Sequence, residues 1–257
     1  MSITEISAGT DRGILVLRFN RFDKRNSITQ AMYAELADWF IRAANDPAVR
    51  VVVLLGHPEA FCSGNDLSDF LGAPPDSRHG PIGRFMQSMV TCPKPIVAGA
   101  SGLAVGIGVT LLLHCDLVYC GERTRLQLPF VNLGLCPEFA STLLIPRAAG
   151  SARAAEWLLL GEPFSAQDAM AAGLVTRVVP NAEVESQTLE AARKLAELPP
   201  NAVRVTKKLL RRWNEGEVLA AIKAEVDDFI PMLRSPEAQE AFAAFAAKRK
   251  PDFSRFE

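Results

Sequence analysis

The sequence lacks the features that mark membrane-spanning, secreted and nucleic-acid-binding proteins. No run approaches the ~18 apolar residues of a membrane span, because the apolar Ile107–Leu113 is followed at once by His114. Met1–Thr10 shows neither a basic start nor an apolar segment, so no secretory signal is expected. A basic excess is missing as well, since 28 Lys and Arg stand against 29 Asp and Glu. We therefore expect a cytoplasmic protein with no membrane and no nucleic-acid partner.

Cysteine and histidine are scarce and scattered. The five cysteines include no CxxC spacing, which indicates reduced thiols rather than a disulfide framework or a zinc site. His57, His79 and His114 share no metal-ligand spacing, so no metal is expected. Hydrophobic residues, by contrast, make up 49% of the chain, which is enough for a sizeable core.

The first half of the chain alternates strand and helix patterns, which is typical of an α/β core with mostly parallel strands. Thr29 is expected to cap a helix that runs to about Ala44, where Asp46 and Pro47 end it. The strands are predicted at Thr4–Ala8 and Ile14–Phe19, as a hairpin around the turn Gly9–Gly13, and at Val51–Leu55, Pro95–Ala98 and Leu117–Cys120.

After about Ser141 the pattern becomes helical and rich in alanine. We place an α/β core at residues 1–195 and a C-terminal helical region at residues 196–257. The basic cluster Lys207–Arg212 indicates a solvated helix face, with attraction of a phosphorylated ligand as the alternative. Helices are predicted at Ser151–Leu160, Ala166–Ala172, Glu183–Glu197, Val203–Trp213 and Val218–Leu233, with a strand at Leu174–Val179.

Three segments that follow predicted strands contain glycine, and ligands of α/β sheets bind at the carboxyl ends of strands. The first segment, Ala60–Leu67, holds Gly64, which permits an unusual backbone angle, and Asp66, which can cap the next helix. Such a turn can direct a backbone N–H into a cleft. An ordinary strand-to-helix connection is the alternative.

The second segment, Ser101–Gly108, leads into an apolar helix predicted at Val109–Leu113. It lacks the Lys of a phosphate-binding loop, and Asp116 comes too early for a dinucleotide-binding motif. What remains is a buried helix start whose unpaired N–H groups suit negative charge. Two such groups aimed at one point would form an oxyanion hole for a thioester or ester oxygen. Close helix–strand packing at Gly106 and Gly108 is the alternative.

The third segment, Leu126–Ala140, contains Glu138, the only carboxylate between Glu122 and Glu156. Its surroundings are markedly apolar, and desolvation there should raise its pKa towards a value useful for a general base. The alternative is an acid at a helix start, stabilised by the helix dipole.

Taken together, these motifs resemble the crotonase (enoyl-CoA hydratase/isomerase) superfamily over essentially the whole chain. The matching segments are Asn20–Ser27, Phe61–Leu67, Lys94–Gly102, Gly106–Gly108, Gly161–Ala166 and Gly173–Val175. The resemblance implies a spiral of repeated ββα units, with a C-terminal helical extension that drives assembly into homotrimers or dimers of trimers. It also implies an acyl-CoA substrate and no separate cofactor, because coenzyme A is part of the substrate.

The resemblance further assigns residues. Asn65 and Ile107 match the two backbone N–H donors of the oxyanion hole, and Phe70–Gly83 is expected to help shape the acyl pocket. Residues expected to bind the substrate are Lys24, Arg25, Asn26, Ala60, Ser63, Gly64, Asp66, Leu67, Gly106, Phe130, Phe245 and Lys248.

Which reaction the resemblance implies depends on where the chain has acidic side chains. Thr110 and Phe130 stand at the positions that match the two glutamates of family hydratases, whereas Glu138 matches the base of the Δ3,Δ2-enoyl-CoA isomerase branch. The resemblance therefore implies a double-bond isomerase with Glu138 as its acid/base. A hydratase would need a second acid, for which Asp66 and Asp69 are nearest in sequence. Another crotonase-type reaction or a non-catalytic acyl-CoA-binding protein are further alternatives.

Overall fold

The structure is a computed structural model and describes residues 5–72 and 80–256. Some predictions reach outside these limits: Thr4 in the first strand, residues 73–79 of the segment Phe70–Gly83, which include His79, and the outermost residues of the regions 1–195 and 196–257. Within the described ranges the chain forms two sheets surrounded by helices, so the predicted α/β class is confirmed.

The strands of the described residues divide between a large and a small sheet. In chain order they are β1 (Ile6–Asp11), β2 (Ile14–Phe19), β3 (Val51–Leu55), β4 (Ala60–Cys62), β5 (Ile96–Ala100), β6 (Leu103–Val105), β7 (Leu117–Gly121), β8 (Arg125–Gln127), β9 (Phe164–Ser165) and β10 (Arg177–Val179). The large sheet has the order β1-β2-β3-β5-β7-β10, and the small sheet has the order β4-β6-β8-β9. The neighbours β2, β3, β5, β7 and β10 are parallel, as the continuous apolar runs predicted.

The first two strands form the predicted hairpin with a tighter turn. Because β1 continues through Asp11, the turn consists of Arg12 and Gly13, both with positive φ, instead of the whole of Gly9–Gly13. Positive φ at both central residues is what a two-residue hairpin turn of type I′ requires.

Three strand pairs build the spiral. The strands β3, β5 and β7 lie side by side in the large sheet, and the strands that follow them, β4, β6 and β8, lie side by side in the small sheet. A helix follows each pair, so the chain repeats a ββα turn and the predicted spiral is confirmed. The strands β4 and β6 lie inside segments predicted as loops. With three residues each, they are too short to show alternation.

The helices are α1 (Gln30–Asn45), α2 (Leu67–Gly72), α3 (Pro81–Val90), α4 (Ile107–Thr110), α5 (Ser141–Ala149), α6 (Ser151–Ala155), α7 (Ala166–Ala171), α8 (Val184–Glu197), α9 (Pro200–Arg211), α10 (Glu215–Met232) and α11 (Pro236–Ala246). Thr29 caps α1 as predicted, since its side chain accepts a hydrogen bond from the Met32 N–H. The helix predicted at Val109–Leu113 begins at Ile107 and continues as a 3-10 turn to His114. Among the described helices, none combines the length and hydropathy needed to cross a bilayer.

Two apolar clusters hold the sheets and helices together. In the larger one, Tyr33 and Phe40 of α1 pack against Phe85 of α3, and alternate residues of β3 join from the large sheet. In the smaller one, the other face of the large sheet packs against Ala191 and Ala192 of α8. Strand β3 is therefore buried on both faces, which explains why it contains no polar residue.

The basic cluster Lys207–Arg212 does not form a fully solvated face, and this prediction was wrong for Lys207 and Arg211. Lys207 is buried, and its Nζ lies 2.8 Å from an Asp116 carboxylate oxygen, while an Arg211 nitrogen lies 2.9 Å from the other oxygen. Asp116 also accepts a hydrogen bond of 2.7 Å from the Ile96 N–H. The Asp116 carboxylate thus attaches α9 to the large sheet at the amino ends of β5 and β7.

Because of this network, removing the Asp116 charge should strongly destabilise the protein. Asp116→Asn should lower the free energy of unfolding by about 3 kcal/mol, because it leaves the buried Lys207 ammonium without its counter-charge. Urea denaturation measures the difference. The control Glu190→Gln removes a surface carboxylate from its pair with Lys194 and should leave stability unchanged. Equal effects of both substitutions would contradict the proposed network.

Candidate active site

Two loops that leave neighbouring parallel strands approach each other at one edge of the small sheet. Asn65 follows β4, and Ile107 follows β6, which pairs with β4 in parallel. A Cβ at Gly64, where φ is 99°, would lie 3.2 Å from the Val105 carbonyl oxygen, and a Cβ at Gly108 would lie 2.4 Å from the Cys62 carbonyl oxygen. The contact is backbone against backbone, and it requires glycine at Gly108.

The N–H groups of Asn65 and Ile107 have no acceptor within residues 5–72 and 80–256. Their neighbours are paired, because the Asp66 N–H donates to the Ile28 carbonyl and the Gly106 N–H donates to the Gln127 carbonyl. Two unused donors on touching loops are what a developing oxyanion needs. That both donors act on one substrate oxygen stays a prediction.

Glu138 is linked to the second of these loops by a hydrogen bond to Thr110. Its side chain is buried, with 5% of the residue exposed, and the Thr110 hydroxyl donates a hydrogen bond of 2.5 Å to its Oε1. Thr110 lies in α4, whose first residue is Ile107, so the carboxyl group is tied to the helix that carries one of the unused N–H donors. Burial raises the pKa of Glu138 to about 8, and the charge of Glu225 adds to this effect while the Thr110 hydrogen bond opposes it.

Tyr33 is a site residue that the sequence patterns did not reveal. Its hydroxyl donates a hydrogen bond of 2.5 Å to the Asn65 side-chain oxygen, and its ring is fully buried. Burial and the nearby Glu138 carboxyl both raise its pKa well above the ordinary range. In the sequence, Tyr33 falls within the apolar stripe of α1, where nothing separates it from a core residue.

Phe130 lies beside the turn at Gly106, which precedes Ile107. Its ring comes within 3.9 Å of the position that a Cβ would take at Gly106, and the residue is buried. An aromatic ring therefore occupies the edge of the site, next to the turn that carries the Ile107 N–H.

The segment Lys24–Asn26 is hydrogen-bonded to the segment Ala60–Leu67, which carries Asn65. The Ser63 N–H donates to the Arg25 carbonyl at 3.1 Å, and the Asn26 amide donates to the Ala60 carbonyl at 2.8 Å. Lys24 and Arg25 are exposed on this turn and Asn26 is buried, so the Asn26 side chain holds the loop from inside.

Asp66 has structural partners, as its predicted role as a helix cap requires. It accepts from the N–H groups of Ser68 and Asp69 at the start of α2, where Leu67 is the first residue, and it pairs with Arg21 at 2.6 Å. Burial opposes its ionisation, but the hydrogen bonds from Ser68 and Arg21 outweigh burial and hold its pKa well below the usual range.

Phe245 and Lys248 belong to the C-terminal helical region. Both are exposed, Phe245 near the end of α11 and Lys248 just beyond it. No hydrogen bond, ion pair or ring contact in the described part of the chain links either residue to the loops. Nor do the described residues contain a group of three or more His, Cys, Asp or Glu side chains that could hold a metal ion.

Comparison with known proteins identifies the family. The model of the enoyl-CoA hydratase/isomerase family matches residues 9–255, nearly the whole sequence. The chain belongs to this family. The predicted resemblance to the crotonase superfamily, and within it to the delta isomerases, is therefore confirmed.

Members of the enoyl-CoA hydratase/isomerase family with different reactions are similar to this chain. Enoyl-CoA delta isomerase 2 of Rattus norvegicus is 38% identical over 222 residues, which cover 84% of this chain and 56% of that protein. This chain thus spans little more than half of the rat protein's length. The 2,3-dehydroadipyl-CoA hydratase of Escherichia coli (strain K12) is 31% identical over 255 residues, which cover 98% of this chain and 99% of the hydratase. The structure of Pseudomonas aeruginosa OdaA superposes with a TM-score of 0.92 at 47% identity, covering 94% of this chain and 98% of OdaA.

The raised pKa of Glu138 makes stability depend on pH. Its pKa is about 8 in the folded protein against an ordinary value of 4.5, so the stabilisation from the protonated group is complete below pH 4.5 and is lost as pH rises through 8. Glu138→Gln, which cannot ionise, should gain stability over the wild type by up to about 1.4 kcal/mol per pH unit across this window. Urea denaturation of both proteins at a series of pH values measures the gain. A difference that does not change with pH would contradict the burial of an ionisable Glu138.

Proposed function

We propose that this chain is an acyl-CoA double-bond isomerase that converts a 3-enoyl-CoA into the conjugated 2-trans-enoyl-CoA, with Glu138 as its acid/base. The observation that carries the proposal is the buried Glu138 carboxyl, bonded to Thr110 of the helix that begins at Ile107, whose N–H has no acceptor among the described residues. Thr110 and Phe130 occupy the positions matching the hydratase glutamates. Isomerisation needs one group that takes a proton and returns it. Hydration also needs an activated water, so loss of both matching acids favours isomerisation.

The proposed reaction has two proton transfers. The Glu138 carboxylate removes a proton from C2, and the electron pair spreads over a dienolate whose negative thioester oxygen accepts hydrogen bonds from the Asn65 and Ile107 N–H groups. The same carboxyl group then returns the proton at C4, which leaves the double bond between C2 and C3. A pKa of about 8 suits both steps, because the group must be a competent base and then a competent acid near neutral pH. No cofactor beyond the CoA of the substrate takes part.

Phe130 supports this choice of reaction. Its buried ring lies beside Gly106, at the edge of the loop that carries the Ile107 N–H. An apolar ring there disfavours an ordered water near the conjugated product, and a water is the reactant that a hydratase must hold.

The two carboxylates that a hydratase could recruit are engaged elsewhere. Asp66 is paired with Arg21 and bonded to the start of α2, and its lowered pKa disfavours proton donation. Asp69 accepts a hydrogen bond of 2.7 Å from the Gln30 N–H at the start of α1. Both serve helix ends, which supports a reaction that uses one acid.

We also propose the assembly that the resemblance implies, a homotrimer or a dimer of trimers formed through the C-terminal helices. Helix α9 supports it, because Val205, Leu209 and Leu210 are exposed apolar side chains, and Trp213 just beyond the helix is exposed as well. In this assembly we assign Phe245 and Lys248 to the contact with CoA, together with Lys24 and Arg25 on the turn beside Ser63.

The reaction can be tested directly by ultraviolet absorbance. The purified protein should convert a 3-enoyl-CoA to a product with conjugated-enoyl absorbance, and Glu138→Gln should lower kcat by at least about 100-fold while acyl-CoA binding persists, because the oxyanion donors are backbone groups. The control Glu156→Gln, at an exposed position, should retain activity. Loss of absorbance from a 2-enoyl-CoA, with no reaction of the 3-enoyl-CoA, would mean a hydratase and overturn the proposal.

Thr110 should tune the pH dependence. In the free enzyme kcat/KM should rise with pH around a midpoint near 8, as Glu138 ionises. Thr110→Val removes a donor that favours the ionised carboxylate, so the midpoint should move to higher pH. The matched control is Thr188→Val, a buried threonine bonded within α8, which should leave the midpoint in place. An unchanged midpoint in Thr110→Val would show that this hydrogen bond does not set the pKa of the base.

A further inference from the structure

The backbone directly after Glu138 has an unfavourable conformation. Phe139 and Ala140 both have a φ of 58°, in the left-handed region that residues with a Cβ rarely adopt. Such a conformation persists only where the surrounding structure holds it. Whatever holds these two residues also sets the direction in which the chain presents the Glu138 side chain.

The peptide group between Phe139 and Ala140 is held at both ends. Its carbonyl oxygen lies 2.8 Å from the His114 Nε2, and its N–H donates a hydrogen bond of 2.5 Å to Oε2 of Glu225. The His114 ring also stacks on the Phe139 ring, with 3.9 Å between ring centroids. His114 follows α4 on the 3-10 turn, and Glu225 comes from α10, so two distant elements meet on one peptide group.

Glu225 also supplies a helix cap that the local sequence lacks. Helix α5 begins at Ser141, and its N-cap residue is Ala140, whose side chain cannot accept a hydrogen bond. Oε1 of Glu225 accepts instead from the Thr142 N–H at 3.0 Å and from the Thr142 hydroxyl at 2.5 Å. The Glu225 carboxylate is buried. In the described ranges, no hydrogen bond links α10 to the loops that carry Asn65 and Ile107.

The protonation states agree with this arrangement. Burial lowers the pKa of His114 to about 3 despite its hydrogen bond, so the imidazole is neutral near pH 7. A carbonyl oxygen can only accept, so Nε2 carries the ring proton and its N–H donates a hydrogen bond to the Phe139 carbonyl oxygen. Burial raises the pKa of Glu225, and the donors Thr142 and Ala140 oppose that rise. Both oxygens of Glu225 accept, which is the bonding pattern of a carboxylate.

We propose that His114 and Glu225 are positioning residues, which clamp the peptide group between Phe139 and Ala140 and thereby hold the Glu138 carboxyl against Thr110. The inference rests on the proposed role of Glu138 as the acid/base. It means that a carboxylate in the C-terminal helical region acts on catalysis without touching the substrate.

The test compares two Glu→Gln substitutions on α10 in the full-length protein. Glu225→Gln replaces an acceptor oxygen of the clamp by an NH2 group. The control Glu217→Gln breaks an exposed ion pair between the same helix and Arg147 of α5. Amide hydrogen exchange of the unliganded proteins should speed up over residues 139–142 in Glu225→Gln alone. With a 3-enoyl-CoA, its kcat should fall by about 100-fold at a nearly unchanged KM, as expected for a misplaced catalytic group.

A second variant separates the clamp from general loss of structure. Glycine adopts positive φ without strain, so adding Ala140→Gly to Glu225→Gln should restore part of kcat, or restore folding if Glu225→Gln does not fold. Wild-type exchange and kcat in Glu225→Gln, or no rescue by Ala140→Gly, would overturn the proposal. If the wild type leaves 3-enoyl-CoA unchanged, the proposed function fails, while hydrogen exchange still decides whether the clamp exists.

Discussion

Burial of the Glu138 carboxyl group is the constraint on which the rest of the site depends. A carboxyl group removed from water is stable only as the neutral acid or with hydrogen-bond donors around it. Within the described part of the chain, Glu138 has one side-chain donor, Thr110, and burial raises its pKa to about 8, so it lies close to the balance between its two protonation states. The left-handed residues after it, and the groups that hold them, keep the carboxyl group in that position.

The other half of the site depends on the pairing of very short strands. Because β4 and β6 are parallel neighbours, the loops that follow them meet, and the N–H groups of Asn65 and Ile107 find no acceptor there among the described residues. Donors of this kind are fixed by the sheet and cannot be removed by changing a side chain. In the proposed reaction, backbone groups fixed by the fold thus supply the hydrogen bonds to the oxyanion, and a few side chains decide which proton transfers are possible.

The sequence reveals features that depend on local pattern and conceals those that depend on distant partners. Strand β3, the Thr29 cap and the isolated Glu138 could all be predicted, since an apolar run, a capping residue and a lone acid are visible locally. The strands β4, β6 and β8 have three residues each and show no periodicity. Tyr33, Lys207 and Glu225 look like ordinary residues of amphipathic helices, because their partners are Asn65, Asp116 and the start of α5.

The central claim is that one buried carboxyl group both removes and returns the proton. It is tested most directly with a 3-enoyl-CoA in which deuterium replaces both hydrogens on C2. Turnover in ordinary water, followed by mass spectrometry of the product, locates the label. A buried Glu138 exchanges its proton slowly with solvent, so the account predicts that a measurable share of the 2-enoyl product carries deuterium at C4. Product with only solvent hydrogen at C4, or a 3-hydroxyacyl-CoA in place of the 2-enoyl-CoA, would contradict it.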